Sequence, residues 1–186
     1  MEFLYFGSGV KLRELSNLYE CEIEYNGYKY ISSEHLYQSL QFNEFERFTI
    51  NGDLSGYDCL VKYKDVFYSK KSVIESKVNY WKVRKCIGIV AKMCSNKKYM
   101  KKLGLTYTNK YIKDDIFEEI LRLKFNQKYF KTILLNTGDK TLVEFSRFDL
   151  KWGGKVIDNK IVGENLMGNM IEKIRNEIKS QEIDRC

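Results

Sequence analysis

Ser32-Ser33-Glu34-His35-Leu36-Tyr37-Gln38-Ser39-Leu40-Gln41-Phe42 reads as the opening turns of a helix. Two serines stand at its start, and a serine oxygen accepts a hydrogen bond from the backbone N–H groups that a helix start leaves unpaired. Leu36 and Leu40, four apart, set one apolar face against a core. Glu34 falls in the first turn, where the helix dipole favours a negative charge. Gln38 lies one turn further along the same side. Glu34 then has two readings: a capping carboxylate beside a satisfied histidine, or an acid held at a helix mouth for chemistry.

Upstream, residues 2–6 read as a strand ending at Gly7-Ser8-Gly9, and residues 15–19 as a turn. Asn26-Gly27 is a strong hairpin signal because both residues tolerate positive φ. It joins Cys21–Tyr25 to Tyr28–Ile31, which delivers the chain to the Glu34 helix. A small antiparallel sheet followed by helices is the coarse pattern.

A chain of 186 residues fits one domain and buries a core unaided, and 44% hydrophobic and 15% aromatic residues exclude disorder. No apolar run reaches the roughly 18 residues of a membrane span, and Met1–Phe6 lacks the basic start of a signal peptide. Five scattered cysteines (Cys21, Cys59, Cys86, Cys94, Cys186), none in a C-x-x-C pair, point to a reducing, cytoplasmic setting. The lone histidine, His35, leaves a thiol nucleophile one possible partner and disfavours His-rich metal sites. No metal and no cofactor is expected. Net charge is +7, but between Lys62 and Lys102 thirteen Lys and Arg face only Asp65 and Glu75, a balance of +11 that leaves −4 elsewhere. Such asymmetry fits a polyanionic partner or an anionic substrate, or else solvated helix faces.

Asn51-Gly52 and Ser55-Gly56 mark loops. From Ser69 to Lys102 the pattern is helical, interrupted by Gly88 and ended by Gly104. Its aromatics Tyr80, Trp81 and Tyr99 either stack bases or fill a core. Asp114-Asp115 begins a helix reaching about Tyr129. On a helical wheel Ile116, Phe117, Ile120, Leu121, Leu123 and Phe125 form one apolar arc, and Lys124 projects into its middle. A lysine there either snorkels to a carboxylate or lines a cleft as a nucleophilic amine. A strand follows at Leu142–Phe145. The last helix, after Gly163-Glu164-Asn165, sets Leu166, Met170, Ile174 and Ile178 on one face, its first N–H groups open to a phosphate.

Seven blocks lie in order along the chain: Leu-Ser-Asn-Leu-Tyr (15–19), Ser-Ser-Glu-His-Leu-Tyr-Gln (32–38), Leu-Arg-Leu-Lys-Phe (121–125), Leu-Leu-Asn-Thr-Gly-Asp (134–139), Leu-Val-Glu (142–144), Asp149-x-x-Trp152-Gly153 and Gly163-x-Asn165-x-x-Gly168. In this order the sequence resembles the YbiA-like, or NADAR, family. The resemblance implies an α+β fold, a predominantly helical single domain over 1–186 with a small N-terminal antiparallel sheet. A divergent basic helical region lies at about 44–110. It implies an N-glycosidase acting between an amino nitrogen and ribose, with Glu34 and Lys124 catalytic and Asn17, Asp149, Trp152, Gly153, Asn165 and Gly168 lining the pocket. Glu20 stands where the family usually has a proline, and Leu18 where it has an aromatic.

The expected mechanism has Glu34 as general acid/base and Lys124 attacking the anomeric carbon of the opened sugar to form a Schiff base. Trp152 stacks on a base or ribose, Asp149 bonds sugar hydroxyls, and the last helix's N-terminus holds pyrophosphate. The expected substrate and partner is nucleic acid carrying ADP-ribose on guanine. The alternatives are a riboflavin-pathway ribosylamino-pyrimidine phosphate, or a non-catalytic module binding ADP-ribose or NAD-like ligands.

Overall fold

The computed structural model describes residues 2–7, 9–67, 71–108 and 114–183. Met1, Ser8, Ser69 and Cys186, which figure in the sequence reading, lie outside them. In chain order the elements are β1 (Phe3–Phe6), β2 (Ile23–Tyr25), β3 (Tyr28–Tyr30), α1 (Ser33–Ser39), α2 (Asp58–Lys62), α3 (Lys64–Phe67) and α4 (Lys71–Val83). There follow α5 (Gly88–Cys94), α6 (Asp114–Phe125), α7 (Lys128–Leu135), β4 (Thr141–Glu144), β5 (Lys155–Ile157), β6 (Lys160–Val162) and α8 (Leu166–Ile183). The class is α+β and mainly helical. The chain packs as two compact units, residues 17–120 and the segments 1–16 with 121–186.

In residues 17–120 the β2–β3 hairpin pairs Ile23 with Tyr30 across Asn26 and Gly27, whose φ of 50° and 78° make the tight turn. The following α1 is shorter than its sequence signal. After Leu40 the chain tightens into turns, Gln41 N–H to Gln38 O and Phe42 N–H to Ser39 O. Phe42 is thereby swung off the helix into the core, stacked on Phe48. That core also holds Leu60, Ile74, Val78 and Val90. The loop before α2 is knotted by Arg47, which grips both carboxylate oxygens of Asp53 at 2.8 and 3.0 Å. These bonds, with one from the Tyr63 hydroxyl, hold the Asp53 carboxyl below the ordinary range.

Gly88 opens α5 rather than interrupting a helix, and the break falls earlier, where Lys85 takes φ 53°. A second break follows α5: Ser95 caps it, and a 3-10 turn at Met100–Leu103 leads to Gly104 at φ 71°. Trp81 and Tyr99 pack against the core, while Tyr80 is 48% exposed.

In the other unit β1 and β4 pair in parallel, Phe3 opposite Thr141 through Phe6 opposite Glu144. The helix expected to reach Tyr129 is two helices: Gln127 is extended (φ −72°, ψ 130°), ending α6 and starting α7. The apolar arc of α6 is narrower than expected, because Leu123 is 36% exposed while Phe117, Ile120, Leu121 and Phe125 are buried. The β5–β6 hairpin went unread, although Asp158-Asn159 at φ 48° and 59° is a two-residue turn of the Asn-Gly kind.

The buried seam of α8 is Met167, Gly168, Ile171, Ile174, Arg175 and Ile178, displaced around the helix from the expected Leu166 and Met170. Its start is locked to β4. Asn165 Oδ1 accepts from Glu144 N–H at 3.0 Å, and its Nδ2 donates to Leu142 O at 2.8 Å. A Cβ on Gly168 would sit 2.2 Å from that same Leu142 oxygen. Asn165→Asp keeps the acceptor and removes the donor, leaving a carboxylate oxygen facing a carbonyl. It is expected to destabilise by about 1–3 kcal/mol in urea melts, and Gly168→Ala is expected to lower the midpoint as well; unchanged midpoints in both would refute the lock.

Candidate active site

The helix start is capped by Ser32, extended at φ −162° and ψ 161°, whose hydroxyl accepts from His35 N–H at 3.2 Å. The cap is therefore made without Glu34. The Glu34 carboxylate is instead 3% exposed and held by side chains. Asn17 Nδ2 donates to Oε2, and Gln38 Nε2 donates to Oε1 at 2.7 Å. Gln41 Nε2 in turn donates to Gln38 Oε1 at 2.7 Å, fixing which way the Gln38 amide faces. Asn17 grips Glu34 twice, since its carbonyl also accepts Glu34 N–H at 3.1 Å. Two neutral amide donors replace the water that a buried carboxylate needs. Gln38 was legible as the residue four after Glu34 on one helix side.

Gly88 was missed as part of this group. A Cβ there would fall 2.7 Å from Leu18 Cα, 2.9 Å from Ser32 Oγ and 3.0 Å from Glu34 Cβ. Its N–H donates to Leu18 O at 2.9 Å, so α5 can approach this closely only through a glycine. The sequence signal was present, but it had been read as a helix break.

His35 is the satisfied polar group of the simpler reading. Its Nε2 donates to Ser55 O at 3.0 Å, so Nδ1 accepts from the Ser32 hydroxyl at 2.8 Å. Burial lowers its pKa to about 3, and it is neutral throughout the working range.

Lys124 is fully buried. Its Nζ donates to Ser16 O at 2.7 Å and lies 4.9 Å from the Phe130 ring centroid and 5.4 Å from that of Phe125. A carbonyl and two aromatic rings stabilise an ammonium, which offsets part of the cost of removing the charge from water.

Asp149, Trp152 and Gly153 share one turn: Asp149 Oδ1 accepts Trp152 N–H at 3.2 Å and its carbonyl accepts Gly153 N–H at 3.1 Å. Trp152 is half-buried, with Lys151 Nζ 5.3 Å from its ring centroid. Gly153 is packed so closely that a Cβ would meet Glu144 O at 2.5 Å. Gly153, Asn165 and Gly168 thus sit together around β4 as packing groups. The first α8 N–H groups are taken, Leu166 by Lys151 O at 3.1 Å and Met167 by Trp152 O at 3.0 Å. The expected phosphate cradle of bare N–H groups is not formed by these two.

Of the cysteines, Cys59 Sγ and Cys94 Sγ lie 3.6 Å apart in the core, and that contact, with burial, pushes the Cys94 thiol up, away from a reactive thiolate. A cavity of about 780 Å³ opens beside β1 and α7, lined by Leu4, Tyr5, Leu12, Ile133 and Asn136 among others; it includes none of the expected site residues. Among the described residues no group of three or more His, Cys, Asp or Glu is placed to hold a metal, and no helix is long and apolar enough to cross a membrane.

Comparison with known proteins fixes the class. Residues 57–179 match the NADAR domain, and the chain belongs to that family. Lys124, Asp149, Trp152, Gly153, Asn165 and Gly168 fall inside the matched residues; Asn17 and Glu34 precede them. N-glycosidase R617 of Acanthamoeba polyphaga mimivirus is 42% identical over 74 residues, which cover 35% of this chain and 44% of that protein, less than half its length. The NMR structure of the E. coli protein YbiA shares the fold at a TM-score of 0.58 and 18% identity, over 98% of this chain and 88% of that one.

The His35 assignment carries a pH consequence. An unfolded histidine binds a proton below its ordinary value near 6.5, whereas the folded one resists until about 3. Stability is therefore full above pH 6.5 and falls as pH drops toward 3, by up to about 1.4 kcal/mol per pH unit. Replacing His35 by Gln, which keeps a donor and an acceptor, is expected to flatten the stability profile between pH 6.5 and 4 in urea melts. Parallel profiles for the two proteins would refute the assignment.

Proposed function

We propose that this chain is an N-glycosidase that hydrolyses the bond between an amino nitrogen and a ribose carbon, and that it removes ADP-ribose from guanine in nucleic acid. The observation that carries the reading is the Glu34 carboxylate, buried yet supplied with hydrogen bonds by Asn17 and Gln38 rather than spent on the helix cap. A carboxylate solvated by amides is ready to accept a proton from water or a sugar hydroxyl and to return it to a leaving nitrogen. Membership of the NADAR family and the name of the viral relative support the reaction class.

In this reading Glu34 takes a proton from water as its oxygen bonds to the anomeric carbon. The carbon–nitrogen bond breaks, and the proton passes to the departing amine of guanine. Lys124 serves the same reaction. What supports it is that Lys124 lies within the residues that match the NADAR domain. Because Nζ is already engaged by the Ser16 carbonyl and faces the Phe130 ring, we assign Lys124 a binding role toward the substrate rather than the imine-forming one expected from sequence. Trp152 and Asp149 contact base and sugar.

Nucleic acid is preferred to a small ribosylamino phosphate because of the +11 segment, an extended charge that one phosphate does not need. The non-catalytic alternative leaves the buried Glu34 without a task. Incubation with guanine-ADP-ribosylated oligonucleotide is expected to release ADP-ribose, and Glu34→Gln to slow release by roughly 10²–10⁴-fold in protein whose circular dichroism shows it folded at the assay temperature. Tight binding with no release over long incubation would overturn the enzymatic reading. Release only from the small metabolite would overturn the substrate. Substantial turnover is expected in Lys124→Arg and no adduct with borohydride; a trapped lysine adduct would restore the imine route.

A further inference from the structure

The inner face of α4 is closed by Ile74 and Val78, 1% and 6% exposed. Its outer face carries Val73, Lys77, Tyr80 and Arg84 at spacings of four, three and four, with Val73 40% and Tyr80 48% exposed. Lys82, Val83 and Lys85 are also exposed at the helix end. Arg84 bends back so that its guanidinium lies 3.8 Å from the Tyr80 ring centroid, and its Nη1 donates to Tyr80 O at 3.3 Å. The result is a flat cation–aromatic platform among lysines. Such platforms stack bases without reading sequence, while neighbouring cations take the phosphates.

The end of this helix is also tied to the residues around Glu34. Lys85 O accepts Glu20 N–H at 2.7 Å. Three residues on, Gly88 N–H reaches Leu18 O, and a Cβ at Gly88 would lie 3.0 Å from Glu34 Cβ. The basic turn and the candidate acid are thus joined through one short, hydrogen-bonded stretch of backbone.

We infer that the outer face and C-terminal end of α4, centred on Lys77, Tyr80, Arg84 and Lys85, is the docking surface for a single strand of nucleic acid leading to Glu34. The inference rests on the function proposed above and names the surface that the polymer part of the substrate occupies. A single strand is specified because the amino group of guanine must leave its stack before an enzyme can reach it.

The test is fluorescence anisotropy with a labelled single-stranded oligonucleotide lacking ADP-ribose, across a series of salt concentrations. The Lys77→Glu, Lys85→Glu double variant is expected to weaken binding at least tenfold. Lys77→Gln with Lys85→Asn, which removes the charges and keeps tolerance of positive φ at 85, is expected to flatten the log–log salt slope by about 1.4, from two phosphate contacts at roughly 0.7 each. Tyr80→Ala is expected to weaken binding roughly five- to hundredfold. The charge-matched control Lys128→Glu, Lys160→Glu is expected to retain most of the affinity. Equal losses in control and α4 variants, parent-like binding by the α4 variants, or a preference for anionic vesicles over oligonucleotide would each overturn the inference. The two readings fail separately. Parent protein that binds the oligonucleotide through α4 but releases no ADP-ribose refutes the activity and leaves the surface. Release that is indifferent to the α4 variants refutes the surface and leaves the activity.

Discussion

A carboxylate that is 3% exposed must find inside the protein the hydrogen bonds that water would have given it. Glu34 finds them on Asn17 and Gln38, and that requirement organises much of the surrounding structure. Asn17 can reach it only because the Asn17 carbonyl pins Glu34 N–H as well. Gln38 can present its amide only because Gln41 fixes its carbonyl one turn on. Gly88 must lack a side chain for α5 to close against the same spot. Ser32 relieves Glu34 of capping by taking the His35 N–H itself. Removing Asn17 or Gln38 takes away one of the donors that offset the burial of the acid, or lets water in to replace it. The first outcome costs more, up to about several kcal/mol for an uncompensated charge.

The other unit solves a different problem, the attachment of a long helix to a two-stranded parallel sheet. Such a small sheet offers little face to bury, so α8 must come close. Gly168 permits the approach, and Asn165 supplies the missing strand neighbour for β4 by taking Glu144 N–H and Leu142 O together. Asn165 reaches both from a left-handed conformation at φ 52°, which asparagine adopts more readily than most residues. A motif position expected to line a pocket is thus accounted for by architecture. The same holds for Gly153, whose α-carbon packs on the Glu144 carbonyl.

These two cases show where the sequence was legible. Periodicity and turn chemistry placed the β2–β3 hairpin, the serine-capped α1, the Gly104 stop and Lys124 on the apolar arc of its helix, because each depends on neighbours a few residues away. The ends of α1 and α6 were not legible in that way. Phe42 leaves its helix because Phe48 gives it a better place, and Gln127 breaks a helix whose local propensity would have continued. Both are decisions of tertiary packing. Lys124 stands out in the sequence because a charged residue on an apolar face breaks the local pattern, whereas Glu34 is singled out by its place in the first helical turn and by the family resemblance. Gly88 and the role of Asn165 were not, because what they do is visible only from the backbone that approaches them.

Lys124 bears on why such groups are present at all. An ammonium brought into the interior gives up solvation worth several kcal/mol, and a carbonyl with two ring faces returns part of that. A leucine or methionine of similar length would fill the same volume at no electrostatic cost, and replacing buried charges by apolar groups is often neutral or stabilising. Burial of Lys124 therefore does not explain itself as packing. The same reasoning applies to Glu34, since Ser32 already makes the cap that a carboxylate in the first turn would otherwise provide. Glu34 and Lys124 are thus two buried polar groups, neither of which is needed to close its own element.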